Sequence, residues 1–226
     1  MSPAADPEAA YYQAVEEYFV SRRGDPLLLS NADWNLVRRW RLAGLPLRVV
    51  LRGIKDALDA HQQGWSRDRK VGSLAYCARE VDAARERWER ALTGGDEGGG
   101  ERGRALAAFA QALEQASGLG PRSRAVAATL SDELRARVGG SLQELTRWLA
   151  LVETRLVEAL QAEETEQERA SREQAVDAAL VSWCSRMPAR VVEQIRRESL
   201  VRRTLEAHGL PRLSLFHLEG GGEAPW

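Results

Sequence analysis

Histidines are the first place to look for acid–base, nucleophilic or metal chemistry, and this chain has three, His61, His208 and His217. All three fall at the ends of predicted helices or in the C-terminal tail, away from the carboxylates and thiols that a hydrolase triad or metal site requires. The helical di-iron arrangement uses ExxH repeats and the zinc-protease arrangement uses HExxH, so that ligands stack on one helix face. Neither pattern occurs, and neither a GxxxxGK[ST] loop nor a GxGxxG following a strand is present. The two cysteines, Cys77 and Cys184, are far apart and form no CxxC, which points to neither a disulfide framework nor a zinc site. Cys77 sits among apolar helical neighbours, where a thiol behaves as a small buried hydrophobe. Glu163, Glu164, Glu166 and Glu168 crowd into one polar run, the usual composition of a hydrated face. No catalytic residue, metal or cofactor is expected, and binding rather than catalysis is the predicted role.

Charge segregation stands out more than any reactive group. The whole chain carries a formal net charge of −1, so bulk charge does not drive it onto nucleic acid or an anionic membrane. Between Ser21 and Lys70, however, eleven basic residues face five acidic ones. Arg48, Arg52 and Lys55 recur at spacings of four and three, which puts them on one helix face opposite an apolar stripe, placed to meet phosphates. Arg38, Arg39 and Arg41 extend that surface, and Arg67, Arg69 and Lys70 lie in a basic loop with Trp65, an aromatic placed to stack on unpaired bases. DNA is thus a candidate partner through these ten residues.

The elements that must position these groups read as helices throughout. Ala, Leu, Glu and Arg dominate, and the β-branched and aromatic runs of strands are nearly missing, so the fold class is all-α. Asp6 and Pro7 open a helix that runs to Arg23, and Ser30 with Asp33 forms a variant capping box before the Trp34–Trp40 helix. After Pro46, the residues Leu47, Val50, Leu51, Ile54 and Leu58 share one face. Ser73 starts a fourth helix carrying Leu74, Val81 and Trp88 seven apart. Gly94, Gly95 and Gly98 to Gly100 then mark a flexible linker over 93–103.

The predicted organisation is an N-terminal four-helix domain at 1–92, the linker, a C-terminal helical bundle or hairpin at 104–209, and an extended tail at 210–226. In the second domain Leu142, Leu145, Leu149, Val152, Leu156 and Ala159 follow alternating steps of three and four, a short coiled-coil-like seam suited to an intramolecular hairpin. In the tail Leu213, Leu215, Phe216 and Leu218 form a lone extended segment that must dock on helices or on a protein partner. No stretch reaches the roughly 18 apolar residues of a membrane span, and the first residues lack a basic flank leading into an apolar run, which predicts a cytoplasmic protein with no membrane partner.

The segment from Leu29 to Trp88 resembles the helical module of DnaD-type primosome proteins. The resemblance rests on the Trp-bearing helix DWNLVRRW, the apolar helix VVLRGIKDAL, the basic loop, and SLAYCAREVDAARERW with Tyr76 near its start and Trp88 near its end. It departs from the family in the wider spacing of Tyr76 and Trp88 and in the charged Asp82 beside Val81. What the resemblance implies is DNA binding and helicase loading during replication initiation. The residues themselves leave two readings open: a DNA-associated adaptor with a protein-binding C-terminal half, and a protein-binding scaffold with no nucleic-acid contact.

Overall fold

The computed structural model describes residues 6–23, 28–63, 71–93, 96–137 and 139–214. All regular structure among these residues is helical, as the composition predicts. The chain divides into two compact units, one built from Met1–Ala91 with Val176–Ser199 and the other from Leu92–Ala175 with Leu200–Trp226.

The first unit contains α1 (Pro7–Arg23), α2 (Asn31–Leu42), α3 (Leu47–Gln63), a 3-10 turn at Leu74–Cys77, and α4 (Ala78–Thr93), whose last residues pass the unit boundary. Its start and stop signals act as read from the sequence. The Asp6 carboxylate accepts the Glu8 N–H at 2.9 Å ahead of proline in the first turn of α1. Ser30 and Asp33 cap α2 reciprocally, the Asp33 N–H donating to Ser30 Oγ and the Ser30 N–H to the Asp33 carboxylate. Gly44, with φ of 72°, supplies the left-handed residue that ends the turn after α2. Helix α1 packs on α2 and α3, and the 3-10 turn packs on α2 and α3. The interior gathers Tyr12, Val15, Phe19, Trp34, Val37, Val50, Ile54, Leu74, Cys77 and Val81.

Residues 176–199 belong to this unit, which corrects the assignment of 104–209 to one C-terminal domain. The segment comprises the end of α8 (Glu166–Leu180), a 3-10 turn at Val181–Trp183, and the first part of α9 (Ala189–Glu206). It buries Val176, Leu180, Trp183, Met187, Val191 and Ile195. Periodicity reveals that a helix face is buried but not which surface covers it, and so the assignment erred.

In the second unit α5 (Asp96–Gln115) packs on α6 (Pro121–Ala136), and α6 packs on α7 (Leu142–Gln161). Leu106, Phe109, Leu113, Leu130, Leu134, Leu145, Leu149, Val152 and Leu156 form its core with Leu205, Leu210 and Leu213. The seam positions Leu145, Leu149, Val152, Leu156 and Ala159 are all buried, the hairpin pattern expected. The predicted linker is helical instead from Asp96 onward, through Gly98 to Gly100 and Gly103. Once the buried stripe from Leu106 to Leu113 has nucleated α5, each further residue upstream adds only the propagation cost, which glycine raises by about 1 kcal/mol.

Candidate functional site

The basic residues of the first unit separate into an exposed set and a buried set. Arg39 on α2 and Arg48 and Arg52 on α3 are exposed, with Arg48 and Arg52 one turn apart and opposite the buried Val50, Ile54 and Leu58. Lys55 is on the same outer face, but its ammonium donates to Asp59 at 2.8 Å, and Arg22 also pairs with Asp59. Arg38 is half-buried and donates to Gln194 Oε1 at 3.5 Å. Trp65, Arg67, Arg69 and Lys70 lie outside the described residues.

Arg41 leaves the predicted phosphate-binding surface altogether. Its side chain is 17% exposed; the guanidinium pairs with the carboxylate of Glu8, itself 2% exposed, and Nε lies 3.4 Å from Glu198 Oε2. The same guanidinium lies over the Tyr11 ring at 5.1 Å, while the Tyr11 hydroxyl donates to the Leu45 carbonyl at 3.1 Å. Around this pair, Gln194 Nε2 donates to Glu198 Oε1 at 2.7 Å, and Ser199 Oγ donates to Asp6 Oδ1 at 2.8 Å. Burial pushes the Glu198 carboxyl above its ordinary value, with the neighbouring Glu8 carboxyl adding and Arg41 opposing. Burial likewise raises the phenols of Tyr11 and Tyr12. Tyr12 Oη is enclosed without a hydrogen-bond partner among the described residues. Sequence reasoning missed this cluster because Glu8 reads as an ordinary first-turn acid and Glu198 as one of many charges on a basic helix. Nothing in local spacing ties two residues 190 positions apart.

A second junction forms at the N-terminus of α2. The Asp33 carboxylate receives the Ser30 N–H at 3.1 Å, Ser73 Oγ at 2.6 Å and the Leu74 N–H at 2.8 Å, joining the start of α2 to the 3-10 turn. Leu28 stands two residues before Ser30 and Tyr76 two after Leu74, so both flank this junction. They are 66% and 51% exposed, and the Tyr76 ring meets His61 edge-on at 5.3 Å. Beneath them Cys77 is fully buried, and burial pushes its thiol up to about 12, which keeps it protonated and unreactive.

The tail residue Leu213 is also buried, in the core of the second unit, with its N–H on Glu153 Oε1 at 2.9 Å beside Arg212. Of the two outcomes expected for this residue, docking on helices or on a protein partner, its place in the core is the first. Leu215, Phe216 and Leu218 lie outside the described residues. Among the described residues no group of three or more His, Cys, Asp or Glu side chains is arranged to hold a metal ion, and no helix is long and apolar enough to cross a membrane.

Residues 9–97, spanning most of α1 through the first two residues of α5, match a protein family whose description is "Uncharacterised protein". No curated protein and no solved structure gives a match.

Proposed function

We propose that the chain is a non-catalytic helical adaptor of the cytoplasm whose first unit docks a protein partner at the N-terminal end of α2. The observation that carries this reading is the exposure of the large apolar side chains Leu28 and Tyr76, which stand two residues from Ser30 and Leu74, both bonded to Asp33. Isolated exposed apolar residues are ordinary, but a tyrosine with its body exposed on a 3-10 turn tied to a capped helix end has the composition of an interface anchor. The serines at this junction, Ser30 and Ser73, are engaged in capping bonds with Asp33 and Ala75, which favours binding over chemistry. Free Cys77 and Cys184 accord with a reducing compartment.

The test is affinity purification of the full chain from its native host, comparing wild type with a Leu28→Ser, Tyr76→Ser double variant of unchanged helicity. Loss of a specific co-purifying protein from the variant supports the docking surface. An identical set of co-purified proteins overturns it.

A second reading has its own observation. Arg48 and Arg52 stand exposed one turn apart on α3, with Arg39 exposed on α2, so a reduced form of the predicted phosphate-binding face survives the loss of Arg41. Together with the resemblance to DnaD-type modules, this supports a DNA-associated adaptor acting in replication initiation. Binding to single- and double-stranded DNA that weakens steeply with salt, and that an Arg48→Glu, Arg52→Glu variant loses, is its expected signature. Equal and negligible DNA retention by both proteins eliminates it.

A further inference from the structure

Arg41 faces two carboxylates in a largely buried site, with Glu8 2% and Glu198 14% exposed. Glu8 comes from the first turn of α1, Arg41 from the last turn of α2, and Glu198 from α9, within the segment 176–199 that the sequence places farthest from its neighbours. The Glu8 and Glu198 carboxyls meet the same Arg41 nitrogen, Nε donating to Glu8 Oε2 at 3.2 Å and lying 3.4 Å from Glu198 Oε2. Two carboxyl groups gathered on one nitrogen can bond each other only when one of them carries the proton, because ionised carboxylates are acceptors alone. The remaining groups facing the pair are Tyr11 and Tyr12 of α1 and, along α9, Gln194, which bonds Glu198 and in turn receives Arg38. Asp6, at the head of α1, is engaged by Ser199 and by the Glu8 N–H.

We propose that Glu8 and Glu198 share one proton and, with Arg41, form a proton-gated latch that holds residues 176–199 onto α1 and α2 of the first unit. With the proton in place the pair is bonded and carries one negative charge, which Arg41 matches. Removal of the proton turns a hydrogen bond into a buried repulsion between carboxylates that one guanidinium must serve. The raised value of Glu198 agrees in direction. Its folded-state proton affinity exceeds that of the unfolded chain, so the latch contributes fully below the ordinary glutamate range and weakens as pH rises through the raised value. The pair titrates as a unit, with the proton belonging to both groups.

The latch is tested by hydrogen exchange with mass spectrometry on the full-length chain across pH 5 to 8, corrected for the intrinsic pH dependence of exchange. Amides of 189–199 in the wild type are expected to lose protection with rising pH, by about tenfold for each unit separating the folded and unfolded proton affinities. Amides of α3 supply the internal control. Glu198→Gln and, separately, Glu8→Gln place a permanent neutral donor in the pair and are expected to keep the low-pH protection up to pH 8. PH-independent protection in the wild type, or an unchanged pH dependence in both variants, overturns the latch. So does failure of both variants to fold at the acidic end, since the amide there imitates the protonated acid.

Discussion

Gly53 of α3 lies against the backbone of Val81 in α4: a Cβ on Gly53 would stand 2.4 Å from Val81 Cα and 2.7 Å from Val81 N. The two helices approach so closely because this position has no side chain. Overpacking against main chain costs about 1–3 kcal/mol and offsets the roughly 1 kcal/mol that alanine gains within a helix, so Gly53→Ala is expected to destabilise the first unit by up to about 2 kcal/mol. Gly103 is the control. It is also helical, but nothing lies within 4 Å of a Cβ there, so Gly103→Ala is expected to stabilise by up to about 1 kcal/mol. Opposite shifts in the urea midpoint are the expected result, and a stabilised Gly53→Ala protein contradicts the close approach.

The two arginines Arg41 and Arg52 look alike in sequence and behave oppositely in the fold. Arg41→Met leaves the Glu8 carboxylate buried without its guanidinium, a situation that costs about 3–5 kcal/mol. Arg52→Met removes an exposed charge and is expected to change stability by less than about 0.5 kcal/mol. Urea unfolding of both variants checks the contrast, and equal midpoints would show that Arg41 is not engaged as described.

That contrast shows how far the sequence could be read. Helix ends were legible because caps are local: Ser30 and Asp33 are three residues apart, and Gly44 and Gly209 terminate turns through their own φ. The apolar stripe of α3 was legible because Val50, Ile54 and Leu58 repeat at the helical period. Arg38 and Arg41 were misplaced because they sit on the same short helix as Arg39, and only partners far along the chain, Gln194 and Glu8, decide which of the three faces inward. The same limit hid the membership of 176–199 in the first unit and left open whether Leu213 docks on the chain's own helices or on a partner. Local spacing carries orientation relative to a helix axis, whereas pairing between distant helices is settled by the tertiary core.

Glu163 makes a cap across sequence rather than within it. Its carboxylate accepts the Arg122 N–H at 2.8 Å and the Ser123 N–H at 2.9 Å at the start of α6, where the preceding Gly120 contributes no side-chain cap. Hydrogen bonding from Ser123, by side chain and backbone, and from the Arg122 N–H holds this carboxyl below the ordinary glutamate value. The sign follows directly: the folded state binds the proton less tightly, so the cap contributes fully above the ordinary value and is lost as pH falls through the lowered one. Glu163→Gln is expected to lower the Tm near neutral pH and to converge with the wild type in acid. Parallel melting curves for the two proteins at every pH would show that the carboxylate charge plays no part.

The two thiols give a direct check on the interior of the first unit. Cys77 is enclosed beneath the Tyr76 turn, and burial raises its thiol to about 12, with the nearby Asp33 carboxylate adding to the shift. Cys184 is exposed, its thiol directed to the Leu180 carbonyl at 3.5 Å. Alkylation proceeds through the thiolate and needs access, so iodoacetamide at mildly alkaline pH is expected to modify Cys184 in the native protein and to spare Cys77. Denaturant should bring both into reaction. Mass spectrometry of the tryptic peptides separates the sites, and rapid native labelling of Cys77 would mean that the 3-10 turn at Leu74–Cys77 opens far more readily than the Asp33 junction allows.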